Sequence, residues 1–346
     1  MDDPTAQRPE DRELLAAAAA IGRDLMRPDP RIYWADLLLT AIVAYASLAG
    51  VMRLPLGGAT IVLGLVAMLA FYRGLSFIHE LAHLRRSQLP GFAAAWNLLF
   101  GIPLLTPSFL YDDVHVRHHA RPIYGTTRDP EYLPLASMRP QHLILFLMAA
   151  GLAPLGLLIR FGLLAPLGIG SARLRRATVV RYSALAINPA FRRTEPQGQA
   201  RREWLRLEIA ASAWAVAVIL LVATGTVGVT QAALALLLGS GLAVINQFRT
   251  LVAHLWENEA GTPISLTAQY LDSVNVPPPA LLPALWAPVG LRYHALHHLL
   301  PSVPYHALGT AHRRLSARLG QTPERARVDH RNMLAPLRAI FRTAGR

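Results

Sequence analysis

Four long apolar runs limit what this chain can fold into. They cover residues 35–52, 59–78, 207–222 and 227–245 of the 346-residue sequence. Because roughly 20 apolar residues bridge the hydrocarbon core of a bilayer as a helix, each run is suited to crossing a membrane. The tight Thr224-Gly225-Thr226 turn joins the last two runs, which predicts a helical hairpin.

The composition supports a membrane location for these runs. Hydrophobic residues make up 53% of the sequence, charged residues only 16%, and the mean hydropathy is +0.32. A soluble domain carries about 25% charged residues. We therefore predict an all-α integral membrane protein with about four transmembrane helices.

Two further apolar stretches are interrupted, and we predict that they are re-entrant or interfacial. Residues 91–110 are interrupted by Gly101, Pro103 and Pro107, and residues 143–170 by two prolines and Arg160. If the second stretch crossed the membrane, His294 would lie on the opposite side from His79. A re-entrant path keeps every histidine cluster, and the Arg-rich stretch that follows, on one side.

The distribution of basic residues indicates which side of the membrane carries the histidine clusters. The formal net charge is +13, and all 34 basic residues are arginines. Many flank apolar runs, so anionic lipid headgroups suit them better than nucleic acid does. Arg85 and Arg86 follow the second run, and basic residues favour the cytoplasmic side. We therefore predict a protein of the bacterial inner membrane whose histidine clusters, in a cytoplasmic domain, face the cytoplasm.

Three parts are predicted along the chain. Residues 1–34 form an N-terminal cytoplasmic and interfacial segment, residues 35–315 the membrane domain, and residues 316–346 a basic C-terminal tail. The first 13 residues are polar and acidic, so no cleavable signal peptide is expected. The chain has no cysteine, which excludes disulfides and protein-held iron–sulfur clusters.

Eight of the thirteen histidines fall into three short clusters at helical spacing. Side chains three and four residues apart share one face of a helix, so each cluster presents its imidazoles together. The clusters are, in chain order, His79 and His83; His115, His118 and His119; and His294, His297 and His298.

This clustering points to metal binding. Unpaired polar groups near lipid are costly, and imidazole is the commonest metal ligand in proteins. Eight ligands are too many for one tetrahedral zinc ion but suit two metal ions with open positions. A metal transporter fits less well, because the histidines lie beside the apolar runs rather than within them.

One motif offers a second enzymatic alternative. His79-Glu80-Leu81-Ala82-His83 matches H-E-x-x-H, in which the two histidines of a protease bind zinc and the glutamate is the general base. That alternative leaves the six histidines of the other two clusters unexplained. A membrane zinc protease is therefore a remote third possibility.

The three clusters resemble the histidine boxes of the membrane fatty-acid desaturase superfamily. Their order, the gap between the first two and the hairpin before the third all resemble that family, over about residues 65–315. The flanking stretches resemble it too: Asp129-Pro130-Glu131-Tyr132 after the second cluster, and His298-Leu299-Leu300-Pro301-Ser302-Val303-Pro304 after the third.

The resemblance implies a non-haem di-iron enzyme that uses O₂ as co-substrate. Carried over by position, it implies nine iron ligands. These are His79, His83, His115, His118, His119, His254, His294, His297 and His298. Several desaturases have an asparagine four residues before the ligand that corresponds to His254; here that residue is Thr250. The remaining histidines are predicted to lie at the surface.

Ligand imidazoles usually donate their second N–H to a carboxylate or a carbonyl. Asp129 is the best candidate because of its motif position. The candidates that could support the ligands are Glu80, Asp112, Asp113, Asp129 and Glu257, with Thr250 at the position of the family's asparagine.

The resemblance does not choose between reactions. The first expectation is a desaturase that introduces a double bond into a lipid acyl chain. The alternative is a di-iron hydroxylase or ketolase acting on a lipid, carotenoid or alkane, including a sphingolipid-type hydroxylase. Either enzyme needs a lipid substrate from the bilayer and an external electron donor with its reductase, such as a ferredoxin. No nucleotide-binding fingerprint is present.

Overall fold

The computed structural model describes residues 9–320 and 327–343. Over these residues the regular structure is helical, and β-type pairing is confined to isolated bridges such as His254 with Ser273. Five helices are long and apolar enough to cross a membrane. The all-α membrane architecture expected from the sequence is confirmed.

The helices follow one another with short connections. Those that begin before residue 200 are α1 (Pro9–Gly22), α2 (Pro30–Arg53), α3 (Gly58–His83), α4 (Phe92–Trp96), α5 (Asp112–His118), α6 (Pro140–Ala149), α7 (Ala153–Ile159), α8 (Ala165–Leu167), α9 (Ala172–Tyr182) and α10 (Gly198–Ala223). The later ones are α11 (Val229–Leu251), α12 (Leu266–Leu271), α13 (Pro283–Trp286), α14 (His294–Leu299), α15 (Tyr305–Leu319) and a last helix, Leu334–Thr343.

Three of the four predicted spans lie within the longer helices α2, α3 and α10, and the fourth, residues 227–245, coincides with α11 from Val229 onward. Helices α2 and α3 form one hairpin, and α11 packs against α3. Their outer surfaces are apolar and exposed, with Ile42, Ile61 and Leu237 each more than 60% accessible. An apolar outer surface fits lipid contact, since soluble monomers rarely expose large apolar patches.

The interrupted stretch over residues 143–170 is more helical than the sequence indicates. It forms a fifth candidate span, Pro140–Leu167, of 28 residues. A 3₁₀ turn at Ala150–Leu152 and a π-helical turn at Arg160–Leu164 absorb the irregularities of the sequence. The number of helices that cross the bilayer stays a prediction.

The chain lies on the side of the molecule that carries the histidines at the start of this fifth helix and again after α9. In the first turn of the fifth helix, Leu143 packs in one buried cluster with Leu251 and Trp256. After it, the backbone N–H groups of Leu185 and Ile187 donate to carbonyls in the segment around the second histidine cluster. These contacts are compatible with the re-entrant path, which stays a prediction.

A buried ion pair stabilises the second half of this helix. Arg160 and Glu208 are 2% and 3% accessible, and the Arg160 guanidinium donates to the Glu208 carboxylate. Arg160 also donates to the Ser183 hydroxyl at 2.7 Å, and Arg175 reaches the second oxygen of Glu208 at 2.5 Å. The pair therefore joins the second half of the fifth helix to α10.

We expect Arg160→Met to lower the free energy of unfolding by about 3 kcal/mol. Breaking a buried pair leaves a charge uncompensated, although Arg175 remains beside Glu208. Thermal unfolding in detergent measures the effect. Arg176→Met is the matched control, because Arg176 and Glu195 are both exposed and 3.6 Å apart, and such a pair contributes little. Equal melting temperatures for the two variants would contradict a stabilising role for Arg160.

The segment over residues 91–110 packs beside α3 instead of crossing. It consists of α4, a π-helical turn at Asn97–Gly101 and a short 3₁₀ turn. A Cβ at Gly74 of α3 would lie 2.1 Å from the Phe100 ring, so glycine is required for this approach. The close contact positions the start of α5 beside the end of α3.

The two ends of the described chain meet on the same side as the histidines. Helix α1, in the predicted N-terminal segment, packs against α15. The predicted basic tail, residues 316–346, contains the end of α15 and, within the described residues, the last helix. The Ala17, Leu296 and Leu308 side chains share one buried cluster, which fixes α14 between these elements.

Candidate metal centre

Four short pieces of chain bring the nine histidines together. The last two turns of α3 carry His79 and His83. The second and third clusters lie on and just after α5, and on α14, each at helical spacing. His254 follows the end of α11. The local spacing thus puts the rings of each cluster on one face, and helix packing turns the faces toward one another.

The nine imidazoles divide into two groups whose potential ligand atoms lie within 4.8 Å of one another in each group. The five-histidine group consists of His79, His83, His115, His119 and His297. The four-histidine group consists of His118, His254, His294 and His298.

The distances between ring nitrogens fit metal coordination. His297 Nε2 lies 3.0 Å from His83 Nε2 and 3.1 Å from His119 Nε2. In the other group, His294 Nε2 lies 3.0 Å from His254 Nε2 and 3.2 Å from His298 Nε2. With bonds of about 2.1 Å, ligands at right angles lie about 3.0 Å apart and tetrahedral ligands about 3.4 Å apart. The observed spacing is therefore that of ring nitrogens that can share one metal ion in each group.

Unsatisfied ring nitrogens point to the same conclusion. Both nitrogens of His79 are buried without a hydrogen-bond partner, as are the Nδ1 atoms of His294, His297 and His298. A buried polar atom without a partner is costly. For His79 a metal ion would remove that cost at one nitrogen, so the donor set fits two metal ions.

The electrostatic surroundings keep most of these rings neutral. Burial lowers the pKa of His115, His254 and His297 well below the usual value, and neighbouring histidines lower it further. The neutral imidazole is the form that binds a metal ion. Burial acts in the same direction on the pKa values of His119, His294 and His298.

Asp129 supports His118, as its motif position suggested. Its carboxylate is fully buried, and each oxygen lies 3.0 Å from His118 Nδ1. The backbone N–H groups of Gly125 and Glu131 also donate to it, each at 2.8 Å. Burial disfavours a charged His118, but Asp129 outweighs this effect and raises the pKa of His118. The remaining nitrogen, Nε2, is thereby left to face the four-histidine group.

Glu131 supports His115 in the same way, although no separate feature of the sequence selects it. Its carboxylate lies 2.6 Å from His115 Nδ1 and accepts a hydrogen bond from the Tyr111 hydroxyl at 2.9 Å. Burial raises the pKa of Glu131 to about 7. The one feature of the sequence that points to Glu131 is its position in the same four-residue motif as Asp129.

His254 is held by groups that the sequence analysis missed. The hydroxyls of Tyr124 and Ser273 lie 2.9 Å and 3.0 Å from His254 Nδ1. Tyr124 and Tyr132 both donate to the Asp272 carboxylate at 2.9 Å. Burial raises the pKa of Asp272 to about 6. No local pattern links Asp272 to Tyr132, which is 140 residues away along the chain.

The other predicted supporting residues lie apart from the histidine rings. Asp113 forms a half-exposed pair with Arg117 at 3.1 Å, and Glu257 pairs with Arg327 at the surface at 2.9 Å. Asp112 faces the arginines beyond the start of α5, where burial raises its pKa to about 7. Thr250 lies half-buried in the last turn of α11 and is outside both histidine groups.

Glu80 is oriented away from the metal groups. Its carboxylate accepts hydrogen bonds from the Tyr33 hydroxyl and, at 3.1 Å, from the Tyr305 backbone N–H. The closest approach between its carboxylate and His79 Nδ1 is 4.0 Å. A protease base must face the metal-bound water, so this orientation does not fit the zinc protease alternative.

Comparison with known proteins agrees with the site. The family model described as fatty acid desaturase matches residues 52–327, a range that includes all nine histidines. A ceramide hydroxylase of Caulobacter vibrioides (strain NA1000 / CB15N) is 46% identical over 342 residues. This similarity covers 97% of the present chain and 95% of the hydroxylase.

Proposed function

Since this chain belongs to the fatty acid desaturase family, we propose that it is a di-iron hydroxylase acting on a ceramide-type lipid. The chain is an oxidoreductase of the desaturase and hydroxylase type. The observation that carries the finer proposal is the 46% identity to a ceramide hydroxylase along almost the full length of both chains. Hydroxylation, the alternative in the sequence analysis, thus takes precedence over desaturation.

We propose that the nine histidines hold two iron ions, one in each group. Bound there, iron supplies the chemistry that activates O₂ and breaks an unactivated C–H bond. One oxygen atom enters the lipid as a hydroxyl group, and the other leaves as water. The balance requires two electrons and two protons from outside the chain.

The protein's own side chains prepare this site. Burial favours the neutral form of most of the histidines, and Asp129 and Glu131 fix the orientation of His118 and His115. The Tyr124 and Ser273 hydroxyls hold His254. A site whose ligands are oriented beforehand needs little rearrangement when metal binds.

The substrate is proposed to reach the site from the bilayer. Apolar side chains cover the outer surfaces of the long helices, and the histidines lie at one end of those helices. A lipid can therefore present its polar end to the metal groups while its chains stay in the hydrocarbon region. We propose that this end faces the cytoplasm, across the bacterial inner membrane.

The electron donor is proposed to be an acidic carrier such as a ferredoxin. Four arginines before and within the start of α10 are exposed on the described surface, namely Arg192, Arg201, Arg202 and Arg206. Opposite charges speed the encounter of two proteins and orient them. The electron donor's reductase is a separate protein in this proposal.

The proposed reaction is tested by lipid analysis of a ceramide-producing host. We expect cells with the wild type to accumulate ceramide with one added oxygen atom, and cells with His118→Ala to lack it. Iron analysis of the purified wild type should give about two ions per chain. Ceramide that loses two hydrogens instead would show desaturation. Zinc at one ion per chain with unchanged lipids would overturn the di-iron assignment.

A further inference from the structure

Arg249 is a cationic side chain near the histidines that has no role in the site described so far. It lies in the last turn of α11, five residues before His254. Its Nε atom is shielded from solvent and lacks a hydrogen-bond partner. One Nη atom lies 3.5 Å from Asn246 Oδ1, which is too long for a strong hydrogen bond. Across residues 9–320 and 327–343, no carboxylate lies within 4.0 Å of the guanidinium.

The guanidinium lies on the membrane side of the histidines. It faces the hydroxyl of Tyr72, which donates to the Trp286 carbonyl at 2.8 Å. Tyr72 precedes His79 by seven residues on α3, about 10 Å along the helix toward the bilayer interior. The charge of Arg249 also reaches His294, whose pKa is lowered by burial first and by nearby charges second. Arg249 thus lies beside Tyr72, on the side of the histidines that faces the membrane-spanning part of α3.

A cation in this place requires an acceptor. Arg249 is half-buried, and its enclosed Nε–H has no acceptor, which is costly for a buried donor. Glu131, a carboxylate on which the charge of Arg249 acts, already binds His115 and Tyr111. A guanidinium carries five N–H donors and no acceptor, so free donors remain. A lipid entering from the bilayer side can supply the missing acceptor.

We propose that Arg249 binds the amide carbonyl oxygen of the ceramide-type lipid and so positions the lipid against the metal groups. The amide carbonyl oxygen of the lipid can only accept hydrogen bonds, whereas each of its hydroxyl groups can also donate one. The carbonyl oxygen is therefore the better match for a guanidinium, which only donates. This inference rests on the proposed function, because it takes a ceramide-type lipid as the ligand.

Binding of two ligands to purified protein tests this proposal. The ligands are a ceramide and its thioamide analogue, in which sulfur, a weaker acceptor, replaces the carbonyl oxygen. We expect the wild type to prefer the ceramide. In Arg249→Met, ceramide binding should weaken about 10- to 100-fold and the preference should disappear, because a hydrogen bond to a charged group is lost. Arg249→Lys should retain part of the preference.

The matched control is Arg53→Met. Arg53 is exposed and lies at the end of the α2–α3 hairpin that is remote from His79 and His83, so this variant should bind both ligands as the wild type does. Metal content and melting temperature should be unchanged in Arg249→Met. A fall in either, or an equal weakening for both ligands, would overturn the proposal in favour of a structural role. A wild type that binds ceramide through Arg249 without forming a hydroxylated product would refute the proposed reaction alone. No ceramide binding by the wild type would refute both.

Discussion

We expect His294→Ala to bind one metal ion per chain instead of two and to lose its lipid product almost completely. His294 stands between two ligands of the four-histidine group, with its Nε2 atom 3.0 Å from His254 Nε2 and 3.2 Å from His298 Nε2. Its removal leaves three imidazoles in that group, while the five-histidine group keeps all its members. Residues that only orient a ligand change affinity or activity by 10–100-fold, so loss of a ligand should exceed about 100-fold.

Metal analysis and product analysis of one preparation check this result together. His142→Ala is the matched control, because His142 is exposed and belongs to neither histidine group. It should retain both metal ions and full activity. Loss of both ions from His294→Ala would mean that the groups bind metal only as a unit. Retention of both ions with normal product would contradict the assignment of His294 as a ligand.

The convergence of the histidines could be predicted from the sequence because it depends on local spacing. Rings at i, i+3 and i+4 share a helix face wherever the helix lies. The division into two groups could not be predicted in this way. His118 and His119 are neighbours in the chain, yet they join different groups, and His119 joins His297. That choice depends on how α14 packs between the other elements.

The residues that hold the histidine rings can be predicted from the sequence only where they lie close together in the chain. Asp129 and Glu131 lie in a motif within about one turn of each other, so a short stretch of sequence indicates both. Asp272 reaches the site through Tyr124, 148 residues earlier in the chain. Glu80 lies between two predicted ligands, but Tyr33 and Tyr305 determine its orientation. Only tertiary packing brings these partners together.

The apolar runs predicted four helices well because burial of backbone polar groups in lipid leaves few alternatives to a helix. Their ends extend beyond the apolar runs, as in α10, which begins among polar residues. The fifth helix was harder to predict. Its prolines suggested a break, but a 3₁₀ turn and a π-helical turn let the chain continue. Arg160 interrupts the apolar sequence of this helix, but its partner, Glu208, lies on α10, far from it in the chain.

We expect Asp129→Ala to weaken metal binding in the four-histidine group by about 10- to 100-fold, because His118 loses the carboxylate that orients it. The same change leaves the backbone N–H groups of Gly125 and Glu131 buried without their acceptor. Each unsatisfied donor costs about 1–3 kcal/mol, so the melting temperature should fall as well.

Asp129→Asn separates the two effects. Its amide oxygen can still accept from one backbone N–H, but its NH₂ group faces a donor and the charge beside His118 is lost. We expect a smaller loss of stability than in the alanine variant, with a similar loss of metal affinity. Competition with a chelator measures the affinity, and thermal unfolding measures the stability. Asp113→Asn is the matched control, because Asp113 contacts only Arg117 among the hydrogen-bonding side chains described around α5. If the Asp129 variants bind metal as tightly as this control, His118 does not depend on its carboxylate partner.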